Sequence, residues 1–459
     1  MRFGRAMAAF LSVGAAAALA IVPAGAFAGT GAARHYAAGH VVRAVAGRVI
    51  PADSSPLAYR YEGRLNGDKR ASGALLGCQQ PGSAPNCYTP HELAAAYDIP
   101  SRLTGAGKTI VIIDAFGDPT IAQDLAVEDT AFGLPTAKLN IIYPGGKPVF
   151  DPTNADQSSW SAEIALDVES SHAIAPAATI DLVIAKSDAD ANILTALRYA
   201  VWHRLGDVLS QSYGEAESCE ARSVMLADHL LFAQAALEGI TVLASSGDNG
   251  AGQPSCDGST LIKSVGLPAA DPLVTSVGAT SLTASQPAGG YESETAWNDS
   301  YGASNGGYST LFPRPYYQAG FVPGGLGRGV PDVSYSGDVN NGLLIAWSAG
   351  VAANVGQIYV FGGTSAGPPQ WAAIIALADQ ARHHDLGFIN PRLYQIARSP
   401  LYDYVFHDVT TGNNTVSYTS ANGSLMTING YSAGPGWDPV TGLGTPDVAH
   451  LISALRVMR

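Results

Sequence analysis

Cationic side chains are what this chain has least of. Lysine and arginine number 25 against 38 aspartates and glutamates in 459 residues, a formal charge of −13. Nothing in it resembles a basic stripe, which excludes nucleic acid as a partner held through its phosphates. Charge of either sign is sparse, at 14% of residues, which excludes a coiled coil or a solvated disordered chain. Cysteine is limited to Cys78, Cys87, Cys219 and Cys256. No histidine pair accompanies them at metal-ligand spacing, so a zinc site is not expected. Beyond the N-terminus no run is long and apolar enough to cross a bilayer. Internal repeats are lacking, and no low-complexity block follows residue 60.

What is abundant is apolar and small: 47% hydrophobic residues and 52 glycines, the composition of a loop-rich globular enzyme with a sizeable core. The chain opens with Arg2 and Arg5, an apolar stretch and Ala26-Phe27-Ala28, a small-residue cleavage box. That pattern predicts a signal peptide over 1–28 and a secreted, extracellular protein, the alternative being a retained membrane anchor. An oxidising compartment suits the four cysteines. Three pairings are possible; Cys78–Cys87 and Cys219–Cys256 are preferred, since each pair brackets a Gly/Pro/Ser-rich loop. A monomer is expected.

Residues 29–86 show poor periodicity and read as a short pro-segment or N-terminal extension. From residue 87 to 459 strand and helix signals alternate. Strands are expected at 108–116, 138–144, 179–185, 207–214 and 239–248, with helices over 119–133, 158–175, 189–203 and 220–238 between them. Near-continuous Val/Ile/Leu strands alternating with helices predict an α/β fold, a mostly parallel sheet covered on both faces. Ligands in such folds bind beyond the carboxyl ends of strands. Asp114, Asp248 and Ser365 all follow strand signals.

Ser365 lies in "FGGTSAGPPQWAAIIALADQ" (361–380). The letters fit G-x-S-x-G, the nucleophile elbow of an α/β-hydrolase esterase, and equally G-T-S-x-x-x-P at a helix start, as in subtilisin-like peptidases. A third reading makes Ser365 a plain helix N-cap before Pro368 and Pro369. The esterase reading requires an acid and then a histidine downstream; the candidates are Asp408, Asp438 and His450, and His450 falls in a helix-like tail. A Ser-His-Asp triad of subtilisin type is poorly matched too, because His172 ends a helix instead of opening one.

That helix offers carboxylates instead. In "SAEIALDVESSHAIAP" (161–176), Glu163 and Asp167 stand at i and i+4, on one face and one turn apart. A solvated acidic face is one reading, but such faces interleave cations and none occurs before Lys186. Paired carboxylates sharing a site push one pKa up, which suits a general base working in acid. Asp248, in "ASSGDNG" (244–250), is either a turn aspartate or a protonated carboxyl able to donate to a reacting carbonyl oxygen.

Taken in order, E-x-x-L-D, S-S-G-D and G-T-S-x-x-x-P on a subtilisin-like pattern resemble the sedolisins, the serine-carboxyl peptidases. The resemblance runs from "CYTPHELAAAYDIP" (87–100) to the end and takes in "SNGGYSTLFPRPYYQ" (304–318) and "RGVPDVSYSGD" (328–338). It implies a subtilisin-like fold, protein or peptide substrates, Ser365 as nucleophile, Glu163 as its base, Asp167 tuning Glu163, and Asp248 stabilising the oxyanion. Asp114 would be at most a supporting residue. It also implies one structural Ca²⁺. Asp408 and Asp438 would supply carboxylates and Val409, Gly434 and Gly436 carbonyls, in "FHDVTTGNN" and "SAGPGWDPVTGLGTPD". A Gly-Pro turn and a helix cap would explain the same letters. The chain departs from the family at Gly362, where serine is commoner, and at Ile164, where an aromatic is frequent. A peptidase scaffold kept as a binding protein is the remaining alternative.

Overall fold

The computed structural model describes residues 50–51, 59–65, 76–80, 82–420 and 423–458. The expected signal peptide, most of residues 29–86, and Asn422 (one of three N-x-S/T sites, with Asn298 and Asn413) lie outside them.

The order of apolar runs becomes a sheet as follows. Strands β1 (Thr109–Ala115), β2 (Lys138–Ile142), β3 (Thr179–Ala185), β4 (Val208–Gln211), β5 (Thr241–Ser245) and β6 (Thr275–Ala284) pair in the order β2-β3-β1-β4-β5-β6, all parallel. An antiparallel strand, β7 (Tyr291–Ala296), and a parallel one, β8 (Val333–Ser336), both join β6. The intervening helices are α1 (Ile121–Phe132), α2 (Ala155–Ile174), α3 (Asp190–Trp202) and α4 (Arg222–Glu238), with α5 (Gly367–Arg382) following Ser365.

Side chains alternate across a strand, and β1 shows the consequence. Ile110 and Ile112 enter one core with residues of α2 and α5, while Val111 and Ile113 enter another with residues of α3 and α4. A strand buried on both faces needs no polar positions, which is why these runs are continuously apolar. The fold is the expected subtilisin-like α/β arrangement.

Boundaries differ from expectation in instructive places. Helix α2 begins at Ala155, ahead of the expected 158, because the Asn154 side chain caps it by accepting from Gln157 N–H. The run 207–214 is not one strand. It breaks at Ser212, and Tyr213–Ala216 leaves the main sheet to pair with Gly266–Leu267 and Ile50–Pro51. A second, four-stranded sheet holds Tyr59–Arg64, Gln357–Phe361, Asn341–Ala346 and Asn86–Tyr88 in that order. Tyr59–Arg64, from the region read as an N-terminal extension, is therefore an edge strand beside the strand that leads into Ser365. All described residues belong to the compact unit Ala38–Arg459. Both preferred disulfides are present, Cys78–Cys87 and Cys219–Cys256. No helix among the described residues is long and apolar enough to cross a membrane.

Candidate active site

Ser365 sits in a 3-10 turn, Thr364–Ala366, between the strand Gln357–Phe361 and α5. The turn is made possible by two glycines. Gly363 has φ +88°, a conformation glycine adopts without strain. At Gly362 an added Cβ would come within 2.4 Å of the Gly337 carbonyl oxygen and 2.7 Å of Val339 N. The departure from serine at this position is thus fitted to a close backbone approach. Gly362→Ser is expected to lower the unfolding free energy by about 1–3 kcal/mol, read from a urea titration.

The helix-cap reading of Ser365 is not what the structure has. No side chain caps α5, and the buried Ser365 hydroxyl makes no hydrogen bond among the described residues. It stands at the positive end of the α5 dipole, which favours a developing negative charge although Pro368 and Pro369 offer no N–H.

Helix α2 packs against both α5 and the 3-10 turn that carries Ser365. It carries Glu163 and Asp167, each 0% exposed, among the core residues Ile164, Ala165, Leu166 and Val168. A solvated acidic face is thereby excluded. Asp167 Oδ1 accepts from Ser212 Oγ at 2.9 Å, and the same Oγ lies 3.3 Å from the Ser365 carbonyl oxygen. One residue therefore links Asp167 to Ser365. Ser171 adds a second tie between the helices, its hydroxyl donating to Pro369 O.

Asp248, 1% exposed, reaches the turn from the other side, beyond the end of β5. Its Oδ1 accepts from both the N–H and the hydroxyl of Thr364, each at 2.7 Å. Gly247 N–H in turn donates to Thr364 Oγ1 at 3.0 Å. Asp248 is thus tied to a residue distant in sequence, next to Ser365. Asp114 is buried at the end of β1. Burial pushes the neighbouring Tyr213 hydroxyl well up, with Asp228, Asp114, Glu220 and Asp167 adding to it.

The two histidines that the Ser-His readings would use lie elsewhere. His172 faces away, against Pro135 O and Asp129. His450 is exposed on the helix Val448–Val457 beside Asp447. Neither imidazole is hydrogen-bonded to Ser365, so the Ser-His readings lose their base. Two residues that sequence reasoning missed, Ser212 and Thr364, connect the acids to the turn. Thr364 lay inside the quoted motif, whereas Ser212 carried no signal beyond its place in a strand.

The five residues of the expected calcium loop converge. Gly436 N–H donates to Asp408 Oδ2, Gly434 N–H to Asp438 Oδ2, and the Thr441 hydroxyl contacts both Asp438 Oδ2 and Val409 O. Burial raises the Asp438 carboxyl to about 6 against the backbone N–H groups that lower it. Two carboxylates and the Val409 carbonyl, brought together from two segments, are hard oxygen donors of the kind Ca²⁺ takes, whereas Gly434 and Gly436 present N–H groups to those carboxylates. A separate group of three side chains with metal-ligating atoms, Asp98, Asp447 and His450, meets at the surface.

No protein-family model matches the chain. It is 36% identical over 425 residues to kumamolisin of Bacillus sp. strain MN-32, covering 89% of this chain and 70% of that protein. It is 33% identical to sedolisin of Pseudomonas sp. strain 101, over 80% of this chain and 61% of that protein. Human tripeptidyl-peptidase 1 is 33% identical over 55% of this chain and 43% of its own. The structure of Pseudomonas sedolisin, complexed with two molecules of pseudo-iodotyrostatin, superposes with a TM-score of 0.69 at 31% identity, covering 82% of this chain and 99% of that one. Sequence and fold agree: the chain belongs to the sedolisin family of serine-type peptidases.

Proposed function

We propose that this protein is a secreted, calcium-binding serine-carboxyl endopeptidase that cleaves protein or peptide substrates in acid, as a monomer. Ser365 Oγ attacks the scissile carbonyl while Glu163 takes its proton. The tetrahedral oxyanion accepts a hydrogen bond from protonated Asp248. The C–N bond breaks, the amine leaves with the proton from Glu163, and water releases the acyl group by the reverse sequence. Asp167, one turn on, orients Glu163 and holds the proton that the pair shares in acid.

One observation supports this reading above the others. A buried serine at a helix start has two buried acids, Asp167 and Asp248, each one hydrogen-bonded residue away. The segment "LSQSYGEAE" (209–217) would line the substrate cleft by pairing with an extended peptide. Ile50–Pro51 already lies antiparallel on Tyr213–Ala216, the way an extended substrate adds to a sheet edge.

Bound Ca²⁺ would supply a structural cross-link between the Asp408 and Gly434–Asp438 segments and takes no part in the chemistry. Chelation at saturating EDTA is expected to remove about 3 kcal/mol of stability if the ion is held at a hundred times its Kd, and thermal unfolding with and without added Ca²⁺ measures it. The function itself is tested by hydrolysis of an unfolded protein from pH 3 to 8, with a serine-directed label located by mass spectrometry. Label on Ser365 and an optimum below about pH 5, near carboxylate pKa values, are expected. A neutral optimum, or label elsewhere, rejects it.

A further inference from the structure

The nucleophile turn contains an acceptor that its own helix cannot serve. A helical carbonyl at i accepts from the N–H at i+4, or at i+3 in a 3-10 turn. For Ser365 those positions are Pro369 and Pro368, which have no N–H. The sequence therefore orphans the Ser365 carbonyl, in a residue 0% exposed, where an unmade hydrogen bond is costly. The donor the fold supplies is Ser212 Oγ at 3.3 Å, and that same oxygen stands 2.9 Å from Asp167 Oδ1. A serine hydroxyl has one proton to donate. Two acceptors compete for it.

We propose that Ser212 is a positioning residue that couples the protonation of Asp167 to the seating of Ser365. The inference rests on the roles assigned above to Ser365, Glu163 and Asp167. Ionised Asp167 is the stronger acceptor, because charge-assisted hydrogen bonds are roughly twice as strong as neutral ones. It holds the hydroxyl and leaves the Ser365 carbonyl unserved. Protonated Asp167 is an ordinary acceptor, so the hydroxyl turns to the carbonyl and pins the turn. Acid thus seats the nucleophile.

The ionisable groups around Asp167 are mostly acids. Glu163 shares its helix, Asp114 ends β1, Tyr213 follows Ser212, and Asp248 stands across the turn through Thr364. On α1, Asp124 and Glu128 act on Glu169, and Asp129 on His172, on the opposite face of α2. Asp181 on β3 is held by Asn140. On the helix Pro90–Ala96, Glu92 closes its own cap with Thr89 and His91 meets Phe132 O. Asp379 and Arg382 lie at the far end of α5, against Leu386 N and Leu455 O.

The test is the pH dependence of kcat and KM of the full-length protein on a peptide substrate, for wild type, Ser212→Ala, Ser212→Cys and Ser212→Thr, with Ser365→Ala as reference. Ser212→Ala is expected to lower kcat about tenfold at the optimum with KM within about threefold, since a buried acceptor loses its donor in every state. Its alkaline limb should move up by about half a pH unit or more, because ionised Asp167 has lost a hydrogen bond. Ser212→Thr, which keeps the hydroxyl, should restore most of kcat and the limb. Ser212→Cys, a weak donor of similar size, should fall between, and carries the test if the alanine variant does not fold. An unmoved limb in folded Ser212→Ala or Ser212→Cys overturns the coupling even if kcat falls. Undiminished activity in Ser365→Ala overturns the nucleophile assignment itself, whatever Ser212 does.

Discussion

Ser365→Ala should reduce kcat/KM by on the order of 10⁴ to 10⁶ at the acid optimum, with thermal unfolding close to wild type. The buried hydroxyl makes no hydrogen bond among the described residues, so its removal leaves no partner stranded. Glu163→Gln keeps shape and burial but cannot take the proton. A general base contributes about 10² to 10⁴, and a loss in that range is expected. Asp248→Asn can still donate, so its loss should be milder than that of Asp248→Ala, which removes an oxyanion donor worth roughly 10² to 10³. Asp248→Ala also strips Thr364 of its acceptor, and its unfolding must be measured alongside. Activity that survives Glu163→Gln would sink the serine-carboxyl mechanism. A wild-type chain without hydrolytic activity would favour a binding protein on a peptidase scaffold.

Stability should fall, not rise, as the solution goes from acid to neutral. Burial pushes many carboxyls up, with few cations to offset it. Asp124 is raised to about 7 and Asp228 to about 7, Asp379 to about 8, Glu215 to about 8 and Glu220 to about 9. Glu128 and Glu169, both 0% exposed, are raised well above the usual carboxylate range by desolvation, Glu169 also by Glu128 and Asp124. Each folded-state pKa lies above its unfolded value near 4, so the folded chain binds more protons between the two. The stability these groups contribute is fully present below about pH 4 and is lost as pH rises through 7 to 9. Each such proton steepens the decline by about 1.4 kcal/mol per pH unit. Asp257 and Asp151 are shifted down and act in the opposite sense, but both are solvent-exposed. A urea midpoint that peaks near pH 4 and declines toward pH 8 is expected, with a shallower slope in Glu128→Gln. A midpoint flat or rising between pH 4 and 7 would contradict it.

These acids were not legible beforehand. Glu128 and Asp124 look like ordinary charges on an amphipathic helix, and only the packing of α1 against α2 and the strand Asn341–Ala346 buries them. Asp124 takes its hydrogen bonds from Ser348, more than two hundred residues along the chain. No local pattern encodes that meeting. The 207–214 run is similar: its alternation announces a strand, while the break at Ser212 falls where that residue meets Asp167 and Ser365 from other elements.

The sequence by itself determined whatever depends on short-range spacing. That includes the alternation of apolar strand and helix runs, the common face of Glu163 and Asp167, and the glycines and prolines of the Ser365 turn. Helical period, strand alternation and proline's missing N–H act within a few residues, so they can be read without knowing what lies across the core. The tertiary structure alone decided which hydroxyls lie between the buried acids and Ser365, which carboxyls lose their water, and where Tyr59–Arg64 docks. Those depend on elements far apart in the chain being packed against one another, and desolvation is a property of the packed whole.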